Sequence, residues 1–118
     1  MDVFMMIEAC SFGSMRVDGK DYDRDLLILP GGVRPGWRRK EGHSLCLEDL
    51  SAVWAEKPEV LVVGRGQSGV MRIPDPVKKA LEQKGVRLVD AETPRAAILF
   101  NELVDSGKRV AGAFHLTC

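Results

Sequence analysis

The chain has 118 residues, within the usual span of one domain and long enough to bury one core. Seventeen basic side chains balance seventeen acidic ones, which leaves no general electrostatic footprint for nucleic acid or an anionic membrane surface. With 45% hydrophobic and 29% charged residues the composition excludes wholesale disorder, and no run of about eighteen apolar residues offers a membrane span.

The amino-terminal stretch M-D-V-F-M-M-I-E-A-C carries an early acid and a short apolar patch. It has neither the basic start of a secretory signal nor the arginines of a transit peptide, so the expected location is cytoplasmic. Cys10, Cys46 and Cys118 stand far apart and form no Cys-x-x-Cys pair, a pattern of free thiols in a reducing compartment. His43 and His115 are the only histidines and lack metal-ligand spacing, so no metal site is expected.

From residue 10 to 29 the signals are those of strands. Phe12, Met15 and Val17 lead into Asp18-Gly19, a two-residue hairpin turn in which both positions favour positive φ, and Tyr22 follows on the return arm. Leu26 to Leu29 is a buried-strand run ended by Pro30-Gly31-Gly32. Val33 to His43 reads as irregular, broken at Pro35-Gly36, and Arg38-Arg39-Lys40 reads as a solvated turn. Trp37, beside that Pro-Gly turn, reads as a lid on the core or as a ligand platform.

A helix is expected from Leu47 to Lys57, because Leu47, Leu50, Val53 and Trp54 fall on one face and Pro58 ends it. Cys46 takes its N-cap position with Asp49 three residues on, a capping box with a thiol in place of the hydroxyl. Val60 to Val63 is the longest β-branched run and stops at Gly64, as expected of a strand buried on both faces. Asp75 as cap, Pro76 in the first turn and Gly85 past the end mark a second helix. Val86 to Val89 is a further strand, Thr93-Pro94 and Gly107 punctuate a third helix, and Arg109 to Leu116 closes the chain as a strand. Strands alternate with helices from Leu47 onward, which implies a sheet covered by helices.

Three motifs bear on chemistry. Gly64-Arg65-Gly66-Gln67-Ser68-Gly69 spells G-x-G-x-x-G after a strand, with Asp90 at the end of the next. A dinucleotide loop must open straight into a helix, and here Val70 to Pro74 intervenes, so neither nicotinamide nor flavin is expected and no cofactor is assigned. The same glycines begin a P-loop, but Val70 and Met71 stand where the lysine and the hydroxyl should be. Ser68, Asp90 and His115 follow the chain order of a hydrolase triad, although Val70 replaces the second glycine of the nucleophile elbow.

A glycine loop with arginine can still hold a bare anion. The candidate surface for a ligand or partner is Gly31, Gly32, Gly64, Arg65, Gly66, Gln67, Ser68 and Arg109, with Arg72 and Lys108 as further cations if they converge. This grouping requires the last strand to run antiparallel, which puts Arg109 beside the glycine loop and His115 at the far edge. Asn101, on the third helix, is expected to bond backbone.

L-V-V-G-R-G, the L-P-G-G segment, W-x-x-x-x-G-H from Trp37 to His43, F-N-x-L from Phe100 to Leu103 and the ending G-K-R-V-A-G-A-F-H-L-T-C together resemble the adipogenesis-associated domain family. These are small domains of unknown function, to which a mitochondrial respiratory complex I assembly factor is related. The resemblance covers about Cys10 to Cys118. It implies a three-layer α/β fold with a mixed sheet, covering helices, an amino-terminal β-hairpin region and a last strand antiparallel to the others. It brings no catalytic residues, and it implies action through protein association. The sequence therefore reads as one α/β domain over residues 1–118, a non-enzymatic binding or assembly module with a protein partner. The alternatives are a small-anion or nucleotide-binding protein using Gly64 to Gly69 and, more remotely, a hydrolase with Ser68.

Overall fold

The computed structural model describes residues 6–118. Residues 1–5, which begin the stretch tested above for signal character, lie outside the described residues. Strands β1 (Ile7–Ser11), β2 (Ser14–Val17) and β3 (Lys20–Tyr22) form an antiparallel sheet of three. Its second turn is the expected one: Asp18 and Gly19 have φ of 48° and 80° between β2 and β3.

Strands β4 (Leu26–Leu29), β5 (Gly32–Pro35), β6 (Val60–Arg65), β7 (Arg87–Ala91) and β8 (Val110–His115) make the central sheet, in the order β5-β4-β8-β6-β7. Helices α1 (Ser51–Glu56, entered through a 3₁₀ turn at Leu47–Leu50), α2 (Asp75–Gln83) and α3 (Thr93–Asp105) cover it. No helix among the described residues is long and apolar enough to cross a membrane.

The valine run explains the layering, because successive side chains of a strand point to opposite faces. Leu61 and Val63 join Leu50, Val53, Val77 and Leu81 in the core beneath α1 and α2. Val60 and Val62 join Ala96, Phe100 and Phe114 beneath α3, together with Ile7, Met15 and Val17 of the small sheet. The result is the three-layer α/β fold that the resemblance implied. Asn101 fastens α3 to β1: its side-chain amide donates to Ile7 O at 2.8 Å and accepts from Ile7 N at 2.9 Å.

Trp37 is a lid, 9% exposed, its indole N–H donating to Asp49 O at 2.9 Å. The capping box also forms, with Cys46 N–H donating to Asp49 Oδ2 at 2.8 Å and the Cys46 side chain facing the Asp49 backbone N–H. Two helix starts move by one residue. Pro74 precedes α2, and Glu92 rather than Thr93 caps α3. Thr93 is drawn inward because its hydroxyl serves the sheet edge described below.

Two expectations about strands are corrected. Residues 32–35 are a strand, β5, because Pro30-Gly31 turns the chain back along β4; the break at Pro35-Gly36 stands where expected, and the irregular stretch begins there rather than at Val33. The last strand is antiparallel to β4 but parallel to β6, with Val60 opposite Val110 and Arg65 opposite His115. The α3 crossover carries the chain back to the starting end of β6 before β8 begins, so only its β4 neighbour runs the other way.

Candidate functional site

Ligands in open α/β sheets settle beyond the carboxyl ends of the parallel strands. Here that edge is where β6 ends in the glycine loop, β7 runs into α3, and β8 ends at His115. Thr93 ties the three together. Its hydroxyl donates to His115 O at 2.6 Å and accepts from Gly66 N–H at 2.9 Å, and its own N–H donates to Gly66 O at 2.9 Å. Gln67 N–H donates to Thr117 O at 2.7 Å. The amides expected to face an anion are thus already engaged. Gly66 is required here: its φ is 97°, and a Cβ would press on the backbone carbonyl of Cys118 and lie 2.9 Å from His115 Cδ2.

Beside this knot lies a buried polar cluster. Asp25, just before β4, has a side chain 17% exposed; those of Arg39 and His115 are 6% and 7% exposed. Asp25 Oδ1 accepts from Leu116 N–H at 2.8 Å, and Oδ2 lies 2.5 Å from an Arg39 Nη and 2.7 Å from His115 Nδ1. Burial alone pushes the Asp25 carboxyl up, but the bonds from Leu116, His115 and Arg39 together outweigh it and hold it below the usual carboxylate range. An ionised Asp25 requires that His115 Nδ1 carry a proton. The second Arg39 Nη, 2.9 Å from that same nitrogen, is then a contact between two donors rather than a bond. It bonds Gly42 O instead, at 3.0 Å, and the guanidinium sits 5.0 Å from the Trp37 ring centroid.

His115 Nε2 and Arg39 Nε are buried without hydrogen-bond partners among the described residues. His43 stacks edge-on to His115, with ring centroids 6.4 Å apart, and its Nε2 lies 4.0 Å from Cys118 Sγ. Among the described residues no three His, Cys, Asp or Glu side chains are placed to hold a metal ion. Cys10, Cys46 and Cys118 carry free thiols. Burial pushes the Cys10 thiol up, against a hydrogen bond from Gln67 that lowers it.

A family model described as "Protein of unknown function (DUF498/DUF598)" matches residues 7–115. The chain belongs to that family. It is 31% identical over 111 residues to NADH dehydrogenase [ubiquinone] 1 alpha subcomplex assembly factor 3 of Bos taurus, covering 92% of this chain and 59% of that protein. The Xenopus tropicalis protein of the same name is 30% identical over 112 residues, 93% of this chain and 60% of its own length. The chain therefore spans about 60% of these relatives. Among solved structures, a conserved hypothetical protein of Pyrococcus horikoshii OT3 superposes with a TM-score of 0.82 at 31% identity, covering 95% of this chain and 98% of the other. A protein of Rhodopseudomonas palustris superposes at 0.76 with 28% identity, covering 92% and 81%.

The structure splits the residues singled out from the sequence. Gly64 to Ser68 lie at the carboxyl edge, and Gly31, Gly32 and Arg109 lie at the opposite one. Because β8 is parallel to β6, Arg109 stands at the start of both strands, where its N–H donates to Glu59 Oε2 at 2.7 Å and its Nε to Glu56 O at 3.0 Å. Gly31 N–H donates to Glu56 Oε1 at 3.2 Å. Lys108, next to Arg109, is at this far edge as well, so the four cations do not converge. Arg65 turns back on its own loop, donating to Gly69 O at 3.1 Å and pairing with Asp90 at 3.0 Å.

The triad does not assemble. The carboxylate of His115 is Asp25, Asp90 belongs to Arg65, and no hydrogen bond joins Ser68 to either among the described residues. As expected, the glycine loop runs through Val70 to Pro74 before α2 begins. Asp25 and Arg39 were not legible as a site. Arg39 sat in a basic triplet that looked solvated, and the one local hint was an acid directly before an all-apolar strand.

Proposed function

We propose that this chain is a non-enzymatic assembly module that works by associating with other proteins. The observation that carries the reading is the likeness to assembly factors across more than nine-tenths of the chain. The carboxyl edge supports it physically. There the Gly66 and Gln67 amides are bonded to Thr93 and Thr117, and the Asp25 carboxylate to Arg39, His115 and Leu116, so the edge reads as a rigid support rather than an anion cradle.

Small-anion binding at Gly64 to Gly69 ranks second, because Gly66 and Gln67 already give their N–H groups to Thr93 and Thr117. The partner surface in this proposal is the opposite edge, with Gly31, Gly32 and Arg109 on it. Zero formal net charge supports a protein partner over nucleic acid or a lipid surface, and the free thiols support a cytoplasmic location.

The test is size-exclusion chromatography of tagged chain expressed at native level in its own cell, with mass spectrometry of the fractions. Elution in a larger assembly with other proteins at constant ratio is expected. Elution at the monomer mass, 13.0 kDa plus the tag, would contradict the proposal. So would calorimetric binding of ATP, NAD(H) or NADP(H) near micromolar strength.

A further inference from the structure

At the edge away from the buried cluster the surface opens into a cavity of about 320 Å³ lined by Trp54, Lys57, Pro58, Lys84 and Val86. Pro58 and Val86 are buried and form its apolar floor, while Lys57 and Lys84 stand exposed at its rim. The Lys84 ammonium lies 5.1 Å from the Trp54 ring centroid. We infer that this cavity is the docking point for an acidic, apolar segment of a partner protein, a carboxylate seated between the two lysines with its apolar neighbour against Trp54, Pro58 and Val86.

Three observations carry this. First, the charges are complementary to such a segment and to no basic one, and the two carboxylates flanking Lys57-Pro58 in the chain are engaged elsewhere, Glu56 with Gly31 and Arg109, Glu59 with the Arg109 backbone. Second, tryptophan is among the side chains enriched where proteins meet, and the lysines at its rim supply charge selectivity rather than affinity. Third, Lys57 is held in a conformation that its sequence position disfavours. With φ 48° and ψ 57° it is left-handed, where glycine is the usual residue, and it also precedes a proline, which favours extended backbone. Glycine would close α1 with less strain, so a lysine there points to use of its amine.

The nature of the occupant rests on the association reading; the cavity's preference for acid does not, and it is tested without any cellular partner. The uniformly labelled 118-residue chain is titrated by NMR with a capped hexapeptide of alternating leucine and glutamate, and separately with its leucine–lysine counterpart. The acidic peptide should shift the Trp54 indole and the Lys57, Lys84 and Val86 amides to saturation, and the basic one should not. Lys84→Glu should weaken binding at least tenfold. Lys57→Gly should weaken it about threefold, as loss of one exposed ion pair does, while unfolding at a denaturant concentration no lower than the parent's. Equal shifts with both peptides, shifts mapping to another face, or undiminished binding by Lys57→Gly would overturn the inference.

Discussion

Arg39 and Lys57 are both cations in loops beside the same sheet, at opposite ends of it. Arg39 has a side chain 6% exposed, a carboxylate at 2.5 Å and an aromatic face beneath it. Lys57 is exposed, in a left-handed conformation, at the lip of a cavity. A buried charge is tolerable only when paired and bonded, so the Arg39 end must be rigid. An exposed charge at an open cavity costs little to keep and remains available to a partner. The carboxyl edge, where α/β sheets usually do their chemistry, is therefore the closed end of this molecule, and the other edge is the open one.

Breaking the closed end should have the largest effect. Asp25→Ala strands Arg39 inside and should cost about 3–5 kcal/mol in denaturant unfolding. The same variant should change the acid profile. The folded value for Asp25 lies below its unfolded value of about 3.9, so its ionised form stabilises the fold above that pH. This contribution disappears as pH falls through the lower folded value. The parent should thus lose more stability than Asp25→Ala between pH 7 and strong acid.

Gly66→Ala comes next, at about 2–3 kcal/mol, since its Cβ would meet the carboxyl-terminal backbone in a left-handed conformation. Arg65→Ala sharpens the comparison from the other side. Its pair with Asp90 is a third exposed, so about 1 kcal/mol or less should be lost. Association should be unchanged, because the surface proposed for it is at the other end.

The sequence showed what local pattern controls. The Val60–Val63 run, the Asp18-Gly19 turn and the Pro and Gly punctuation of α2 and α3 placed most elements within a residue or two. Strand direction was another matter. Whether β8 runs with or against β6 depends on where the α3 crossover delivers the chain, and nothing between Arg109 and Leu116 encodes that. The error moved Arg109 and His115 to each other's edges. The buried cluster was hidden for a related reason: Asp25, Arg39 and His115 are separated by up to 90 residues and meet only in the fold. The glycine loop shows the limit of a motif in another way: its letters match a phosphate loop, yet Gly66 has a structural use, making room for the Cys118 backbone.

Amide hydrogen exchange followed by NMR at neutral pH tests the closed-edge, open-edge contrast most directly, because it reads the opening free energy of each hydrogen bond. The account predicts that Gly66, Thr93 and Leu116 exchange only through global unfolding and follow the denaturant-measured stability. Lys57 and Lys84, whose N–H groups bond Trp54 O at 3.3 Å and Ala80 O at 3.1 Å at exposed helix ends, should exchange by local opening and far faster. Gly66 and Leu116 amides exchanging as fast as those of Lys57 and Lys84 would contradict it.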